Sequence, residues 1–352
     1  KKIIIFDNLE RGKISNLELS LRDPRVEIFK DGGDILKLDL LNNAMKNVDY
    51  VFHFAALWLL HCNDFPESAF EVNIRGTFNV INLCIKNRIK KLVFSSSASV
   101  YGDAIKNPIS EDHPFNNKNF YGATKIAGEQ MLKSMSMRYN LPYIGLRYMN
   151  VYGPRQDTKG AYVSVIVNMT KNLRLKKPIT IFGSGKEKFD FVHLKDCAKA
   201  NLLALKSNKS GYFLNVGTGK GTSLKQLANI ISSNFSGFKD IVFKKNRASN
   251  LVKNRVGSPN LASKVIKFKM IGICLLQLEF VENRSDENRQ LFYITGGYLT
   301  KRTNRGWLEF RSILNGRYII TAIHEFVPRL PWFIYRFTQA KGHLYVMKKF
   351  EK

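Results

Sequence analysis

The sequence predicts an α/β protein with a doubly wound parallel sheet, followed by a smaller α+β lobe. Short apolar runs at residues 48–56, 92–94 and 141–146 have the length and composition of buried strands. Helical patterns lie between them, at residues 73–86 and 121–139. Strands that alternate with helices in this way are typical of a parallel sheet covered by helices.

Three serines end one of these predicted strands. Ser95, Ser96 and Ser97 follow directly after the apolar residues 92–94. Ligands of open α/β sheets bind just beyond the carboxyl ends of the strands, so the three hydroxyls are expected at a ligand-binding crevice. A run of serines also forms ordinary turns, because serine competes for backbone hydrogen bonds.

A tyrosine and a lysine stand four residues apart at the head of the second predicted helix. Tyr121 and Lys125 therefore lie on the same helix face. A neighbouring ammonium favours the phenolate and lowers the pKa of a tyrosine, so that the pair can accept a proton near neutral pH. The same spacing occurs by chance on many solvated helices. Only the serine-ended strand upstream favours the chemical interpretation.

Two sequence segments carry a resemblance to a known family. Ser-Ser-Ser-Ala-Ser-Val-Tyr-Gly at residues 95–102 and Tyr-Gly-Ala-Thr-Lys at residues 121–125 resemble the extended short-chain dehydrogenase/reductase superfamily. The chain is most similar to its NAD-dependent epimerases and dehydratases of the UDP-glucose 4-epimerase type, from residue 2 to about residue 269. The resemblance implies a Rossmann-type domain, bound NAD, a homodimer, and Ser97, Tyr121 and Lys125 as catalytic residues.

The charge of the chain does not by itself indicate its partner. The 352 residues carry a formal net charge of +28, spread along the whole sequence. No zinc-knuckle spacing, aromatic RNA-binding stretch or basic arm accompanies this charge, so a nucleic-acid partner is not expected. We interpret the charge as solvated surface that also favours anionic small molecules.

Cysteine spacing and hydropathy bear on the compartment. Cys62, Cys84, Cys197 and Cys274 are far apart, which argues against a zinc site or a disulfide framework and fits a reducing cytoplasm. The longest apolar stretch near the C-terminus, residues 270–278, is far too short to span a membrane. A cytoplasmic protein without an integral membrane segment is therefore expected.

The first strand ends in an acid. Asp7 and Asn8 follow the apolar residues 3–6, and an acid at this point of a dinucleotide-binding fold holds the ribose hydroxyls of the cofactor. The charge of Asp7 would repel a 2′-phosphate, which favours NAD over NADP. Such an acid normally follows a glycine-rich phosphate loop by about 20 residues. Because only six residues precede Asp7, the chain is expected to be an N-terminally truncated form of a longer protein.

The resemblance implies a set of cofactor contacts from both halves of the predicted sheet. These residues are Asp7, Asn8, Asp34, Ile35, Phe54, Ala55, Ala56, Asn73, Ser95, Tyr121, Lys125 and Tyr148. Trp58 departs from the family pattern, which commonly has a lysine near the cofactor phosphates. His53 lies inside an apolar strand, where a hydrogen-bonded core histidine is expected.

The implied substrate contacts are Ser97, Asn150, Phe189 and Arg255. Most relatives have an arginine where Phe189 stands, and Lys186 and Lys188 are neighbours that could supply charge without the bidentate geometry of arginine. The resemblance also implies that Asn150 and Arg255 bind the diphosphate of a sugar nucleotide.

We predict three regions along the chain. Residues 1–150 form the NAD-binding domain, residues 151–290 form the substrate lobe with segments that return to the first domain, and residues 291–352 form a basic, aromatic extension. The extension is either a membrane-peripheral or partner-binding appendage or sequence foreign to the ancestral domain, such as a fusion or a shifted reading frame.

The implied reaction is the epimerisation of a nucleotide sugar at C4. Tyr121 would take the C4 hydroxyl proton, Ser97 would hydrogen-bond the same oxygen, and Lys125 would hold the nicotinamide ribose and lower the pKa of the tyrosine. NAD would accept the C4 hydride and return it to the other face of the 4-keto sugar.

Four alternatives remain open from the sequence. A 4,6-dehydratase needs an acidic pair where this chain has Ala98 and Ser99. A decarboxylase and a simple reductase are two further alternatives. A non-catalytic fragment that keeps the fold but not the cofactor would account for the absent glycine-rich loop.

Overall fold

The computed structural model describes residues 2–156, 164–235, 240–245, 252–266, 277–280, 284–286, 289–296, 307–313 and 318–324. The chain divides into two compact units, Lys1–Phe268 and Lys269–Lys352. The division at residue 268 differs from the domain limits expected from the sequence, which stay predictions. Residues 325–352 of the predicted extension lie outside the described residues.

The first unit alternates strands and helices. Its strands are β1 (Ile3–Ile5), β2 (Val26–Ile28), β3 (Tyr50–His53), β4 (Lys91–Ser97), β5 (Tyr143–Tyr148), β6 (Asn150–Tyr152), β7 (Ile179–Phe182), β8 (Lys188–Phe189), β9 (Phe191–His193), β10 (Tyr212–Val216), β11 (Thr222–Ser223), β12 (Ile241–Lys244) and β13 (Asn254–Arg255). Its helices are α1 (Glu18–Leu21), α2 (Leu38–Met45), α3 (Leu59–Asp64), α4 (Pro66–Ala69), α5 (Thr77–Lys86), α6 (Phe120–Tyr139), α7 (Val165–Arg174), α8 (Leu194–Lys206), α9 (Leu224–Ser233) and α10 (Asn260–Val265).

A parallel sheet organises the unit. Four strands pair in the order β10-β5-β4-β3, all parallel, and β1 pairs with β2 in a separate parallel pair. Helices cover the sheet, and two clusters of buried apolar side chains form its core. Leu92 and Phe94 point into one of these clusters and Val93 into the other, as expected for a strand buried on both faces. The predicted parallel α/β architecture is confirmed.

The smaller strands lie in short sheets beyond β5. β6 pairs with β9, β7 with β12, and β8 is flanked by β11 and β13. Helices α7 and α9 pack on β7 around Met169, Ile179 and Leu227. This mixture of short strands and helices is the predicted α+β lobe.

The helix expected over residues 73–86 has two parts in the structure. A π-helical segment, Phe70–Gly76, precedes α5. Gly76 contacts Ile35 so closely that a Cβ at position 76 would lie 2.5 Å from the Ile35 Cδ1 atom. The π-helical segment thus ends at a close contact with Ile35, in the loop between β2 and α2, and a sequence pattern carries no signal for such a contact.

The second unit contains an antiparallel meander. Its strands are β14 (Gln277–Phe280), β15 (Arg289–Gly296), β16 (Trp307–Ile313) and β17 (Tyr318–His324), paired in chain order. Glu309 on β16 binds Arg289 across the sheet and Arg311 on its own strand. Hydrogen bonds from both guanidinium groups lower the pKa of Glu309 to about 2. Among the described residues of the whole chain, no helix is long and apolar enough to cross a bilayer.

Candidate active site

The first turn of α6 lies against the end of β4. The Asn119 side chain caps α6 by accepting a hydrogen bond from the Gly122 N–H at 2.8 Å. A Cβ at Gly122 would lie 2.6 Å from the Ser99 carbonyl oxygen, so only glycine allows the helix to approach the turn after β4 this closely. The sequence thus places the start of α6 directly beside the serines that end β4.

This approach brings the predicted catalytic residues together. The Tyr121 hydroxyl is hydrogen-bonded to the Ser97 side chain. The Ser97 oxygen also accepts the Ser99 N–H at 3.1 Å, which holds its side chain in place. The two hydroxyls therefore form one hydrogen-bonded pair at the carboxyl end of the parallel sheet, the edge at which such sheets bind ligands.

Lys125 lies one turn further along α6 and is 94% buried, with a relative exposure of 6%. Its ammonium group donates to the Ser95 carbonyl oxygen at 2.9 Å and lies 5.7 Å from the centroid of the Tyr121 ring. The ring of Phe94 flanks it at 5.5 Å. Ser95, Ser97, Tyr121 and Lys125 thus occupy one site.

The pKa of Tyr121 departs from the expected direction. Burial raises it to about 12, and the hydrogen bond with Ser97 opposes that rise only in part. Burial also lowers the pKa of Lys125 to about 8. The expectation that the pKa of Tyr121 is lowered is therefore wrong for this structure, because desolvation of the phenolate outweighs the hydrogen bond and the charge that act to lower it.

Asn73 braces the site from beneath and does not line it. Its side chain accepts the Leu57 N–H at 2.7 Å and donates to the Leu57 carbonyl at 3.1 Å and to the Thr124 hydroxyl at 3.2 Å. The Thr124 hydroxyl in turn donates to the Tyr121 carbonyl at 2.8 Å. Sequence analysis placed Asn73 among the cofactor contacts, whereas the structure shows its side chain bound to protein atoms and 3% exposed.

A buried ion pair lies behind the site, and sequence analysis missed it. Arg147 on β5 contacts Glu129 on α6 through two hydrogen bonds of 2.9 and 2.6 Å. Ser96 donates to the same carboxylate at 2.5 Å, and Arg147 also donates to the Tyr101 hydroxyl at 2.7 Å. Glu129 stands four residues after Lys125, on the same helix face, and that spacing was the one available signal.

The residues expected at the adenosine end of the cofactor lie around the ends of β1 and β2. The Asp7 carboxylate accepts the Leu9 N–H at 2.7 Å. Gly33 contacts Asp7 so closely that a Cβ at position 33 would lie 2.1 Å from the Asp7 nitrogen. Asn8 and Asp34 each accept a backbone N–H two residues ahead, and Ile35 is a core residue.

Two of the residues expected to contact the cofactor, Phe54 and Tyr148, line a cavity of about 270 Å³. Its lining consists of Phe54, Tyr148, Val151, Cys197, Ala198 and Asn201. Phe54 and Ala55 are exposed where β3 ends, and Ala56 is half-buried. The Tyr148 hydroxyl hydrogen-bonds Asn201 and the Ser95 side chain, and burial is the main reason that its pKa is raised.

The residues at the end of β1 and after β3 fit the two halves of NAD, the adenosine half and the nicotinamide half. An exposed carboxylate ends β1, as ribose hydroxyls require, and the exposed small residues after β3 leave the backbone open to a flat ligand. When bound, NAD would be held by Asp7 at its adenosine ribose and by Lys125 and Tyr148 at its nicotinamide half.

The residues expected to bind substrate lie on neighbouring strands. Arg255 on β13 stands in register with Phe189 on β8, and Asn150 begins β6. Arg255 donates to the Gly102 carbonyl at 3.3 Å, and its charge acts to lower the pKa of Tyr121. Phe189 packs on Phe191, with their ring centroids 6.4 Å apart, and supplies no charge.

His53 is a hydrogen-bonded core residue, as the sequence indicated. It is buried, and its Nε2 atom lies 3.0 Å from the Thr77 hydroxyl. Burial lowers its pKa to about 3, so it stays neutral. Within the described ranges, no three His, Cys, Asp or Glu side chains form a group that could hold a metal ion.

Comparisons with known proteins agree on one family. A model of the NAD dependent epimerase/dehydratase family matches residues 3–217. A protein of Methanocaldococcus jannaschii, named provisionally as a UDP-glucose 4-epimerase, is 36% identical over 254 residues, which cover 71% of this chain and 80% of that protein. The UDP-glucose 4-epimerase of Dictyostelium discoideum is 32% identical over 290 residues, with coverages of 76% and 83%.

A solved structure shows the same arrangement of elements. The UDP-N-acetylglucosamine 4-epimerase of Methanobrevibacter ruminantium, in complex with UDP-N-acetylmuramic acid, superimposes with a TM-score of 0.72 at 34% identity. The match covers 76% of this chain and 84% of that chain.

Proposed function

The chain belongs to the NAD-dependent epimerase/dehydratase family, and we propose that it is a nucleotide-sugar 4-epimerase. One observation carries the proposal: the Tyr121 and Ser97 hydroxyls are hydrogen-bonded to each other, with Lys125 one helical turn away. A hydroxyl pair of this kind can bind a single substrate oxygen and exchange a proton with it.

The residues of the site divide the reaction between them. Tyr121 accepts the proton of the C4 hydroxyl, and Ser97 donates a hydrogen bond to the same oxygen. Lys125 supplies positive charge beside the phenol, and Tyr148, which lines a cavity together with Phe54, would border the nicotinamide. Asp7, Lys125 and Tyr148 would hold NAD, which would supply the hydride chemistry at C4.

The substrate proposed is a UDP-hexose or a UDP-N-acetylhexosamine. Relatives that match most of the chain are named for UDP-glucose, and the Methanobrevibacter structure is named for UDP-N-acetylglucosamine. Asn150 and Arg255 would bind the diphosphate, and the net charge of +28 favours an anionic ligand.

The residues after Ser97 favour epimerisation over dehydration. Elimination of the C6 hydroxyl requires an added acid and base. Ala98 and Ser99 stand at the positions in question, are buried, and offer no carboxylate. A reductase or a decarboxylase remains the alternative within the same family.

We also propose that the protein is a homodimer. Phe70, Phe78 and Met137 expose 46%, 43% and 77% of their surfaces on the π-helical segment, α5 and α6. These are the helices through which the family resemblance implies pairing. Light scattering after gel filtration would give twice the mass of 40.4 kDa, and a monomer would contradict this part of the proposal.

The test is conversion of UDP-glucose to UDP-galactose by the purified chain with added NAD. An epimerase yields a product of unchanged mass that co-elutes with UDP-galactose, or with the N-acetyl form when UDP-N-acetylglucosamine is supplied. Loss of 18 mass units indicates a dehydratase. Loss of 44 mass units from UDP-glucuronic acid, supplied in a separate reaction because UDP-glucose has no carboxyl group to lose, indicates a decarboxylase. Absence of both turnover and NAD binding would support a non-catalytic fragment.

A further inference from the structure

Asp190 is a buried carboxylate at which four chain segments meet. It lies between β8 and β9 and has a relative exposure of 0%. Both its main chain and its side chain form hydrogen bonds to other segments of the chain. It touches neither Tyr121 nor Lys125 in any described hydrogen bond, so the proposed proton transfer does not use it.

The main chain of Asp190 joins the two segments proposed to bind the diphosphate. Its N–H donates to the Arg255 carbonyl at 2.9 Å. Its carbonyl accepts the Asn150 N–H at 2.9 Å and the Asn150 side-chain amide at 3.3 Å. One residue therefore sets the separation of Asn150 and Arg255.

The carboxylate of Asp190 binds the turn after β10. It accepts the Thr218 N–H at 2.8 Å, the Thr218 hydroxyl at 2.6 Å and the Gly219 N–H at 3.0 Å. A further hydrogen bond comes from the Gly257 main chain, two residues beyond Arg255. Each of these groups is a donor, so the site requires an acceptor on both carboxylate oxygens.

Close packing leaves this arrangement little freedom. A Cβ at Gly217 would lie 2.5 Å from the Asp190 Oδ2 atom and 2.7 Å from Met149 Cγ. A Cβ at Gly257 would lie 2.3 Å from Met149 Cε. Met149, next to Asn150, thus packs tightly against Gly217 and Gly257, and Asp190 is hydrogen-bonded to both the Asn150 and the Arg255 segments. The packing leaves no space for these segments to shift without a clash.

We propose that Asp190 is a positioning residue that holds Asn150 and Arg255 at the separation required by the diphosphate of a nucleotide sugar. This inference rests on the proposed function and identifies Asp190 as a residue on which the affinity of the enzyme for its nucleotide-sugar substrate depends. Because Asp190 lies on the substrate side of the site, its effect falls on substrate binding and not on NAD.

The test replaces Asp190 by its isosteric amide. In Asp190→Asn, one of the two acceptor oxygens becomes an NH₂ group, which faces either the Thr218 donors or the Gly219 N–H, so the turn and the strands around it shift. We expect the dissociation constant of UDP, measured by calorimetry, to rise ten- to a hundredfold, which corresponds to about 1.4–2.8 kcal/mol. The KM for UDP-glucose rises by a similar factor, while kcat stays within about threefold and the NAD dissociation constant within about twofold.

A matched variant separates positioning from general loss of stability. Lys91 donates to the carbonyls of Ala204, Ser207 and Lys209 at the end of α8, and none of these residues belongs to the site. Lys91→Met therefore lowers the melting temperature and leaves UDP affinity unchanged. If it weakens UDP binding as much as Asp190→Asn does, or if Asp190→Asn weakens NAD binding equally, the proposal is overturned.

Three further outcomes are decisive. If Asp190→Asn does not fold, Thr218→Val is the substitute test, because it removes a single donor to the carboxylate. UDP affinity should fall several-fold in Thr218→Val and stay normal in Thr218→Ser, which keeps the hydroxyl. Equal UDP affinity of these two variants overturns the proposal. Failure of the unaltered chain to bind UDP overturns the proposed function and this inference with it. Normal UDP affinity in Asp190→Asn overturns this inference alone.

Discussion

Helix α6 carries two buried ionisable residues one turn apart, and the two differ in whether an opposite charge lies beside them. Glu129 meets Arg147 in a two-point ion pair, whereas the Lys125 ammonium donates to the neutral carbonyl of Ser95. Burial lowers the pKa of Lys125 to about 8. Burial also acts to lower the pKa of Arg147, but the hydrogen bonds and charge of Glu129 outweigh it and raise that pKa.

The difference separates a structural charge from a reactive one. A buried charge with its own countercharge stays ionised across the physiological pH range and holds α6 against β5. A buried charge without one is costly, and its cost falls when a ligand supplies the missing partner. Among the described residues, Lys125 thus forms no ion pair with a carboxylate, and it lies beside a tyrosine whose phenolate is disfavoured by burial.

The largest expected effect comes from removing the phenol. Tyr121→Phe should lower kcat by about 10³-fold, because general acid–base catalysis contributes about 10²–10⁴-fold, with little change in the unfolding free energy. Tyr101→Phe is the matched control. Its hydroxyl contacts Asn215 and Arg147 in the core, so its loss should cost about 1–3 kcal/mol of stability and leave kcat near normal. Tyr121→Phe with more than a tenth of normal kcat would show that another group moves the proton.

Breaking the ion pair tests the structural half of the comparison. Glu129→Gln leaves Arg147 buried without its countercharge, and urea denaturation should show a loss of about 3–5 kcal/mol. Combining Glu129→Leu with Arg147→Met should restore most of that stability, since no charge is then left buried. If the double variant is no more stable than the single one, the pair does more than neutralise charge.

The lowered pKa of Lys125 should make the folding stability depend on pH. The folded-state pKa of Lys125, about 8, is lower than its ordinary value of 10.5, so between these values the unfolded chain binds more protons and stability rises with pH. The stability advantage of Lys125→Met over the unaltered chain should therefore shrink by about 1.4 kcal/mol per pH unit from pH 8 to 10. Urea melts at three pH values measure this slope. Lys133→Met, at an exposed position of the same helix, is the control, and an equal slope in that variant would refute the assignment to Lys125.

The smallest expected effect distinguishes two neighbouring serines. Ser97→Ala removes the hydrogen bond to Tyr121, and kcat should fall about 10²-fold, at the low end of what one such donor contributes. Ser96→Ala instead removes a donor to Glu129 and should cost about 1–3 kcal/mol of stability with kcat retained. A reversal of these two results would place the reacting oxygen nearer to position 96.

Local patterns predicted the elements and the reactive pair, but not what surrounds them. The apolar run before Ser95 and the four-residue spacing of Tyr121 and Lys125 are properties of neighbouring residues, and the structure places them as the pattern indicates. The partner of Glu129 lies 18 residues away on a strand whose register is set by the whole sheet. No periodicity in the sequence could identify it.

Burial explains the wrong pKa direction for Tyr121. The spacing of Tyr121 and Lys125 specifies a nearby charge, but the cost of desolvation depends on packing by α3, β4 and the turn after it. The donors to Asp190 likewise come from segments more than 25 residues away in sequence, Thr218 being 28 residues distant. The sequence thus contained the chemistry of the site but not its electrostatics.

The contact between Gly33 and Asp7 bears on how the choice of cofactor could be redesigned. Two backbone segments touch there without any side chain between them, since a Cβ at position 33 would overlap the Asp7 main chain. The backbone of Asp7 is thereby held in place by Gly33, which belongs to the segment after β2. Replacing Asp7 by a neutral or basic side chain would remove the charge that repels a 2′-phosphorylated dinucleotide, at the cost of the hydrogen bond from the Leu9 N–H, whereas any side chain at position 33 would displace the end of the strand.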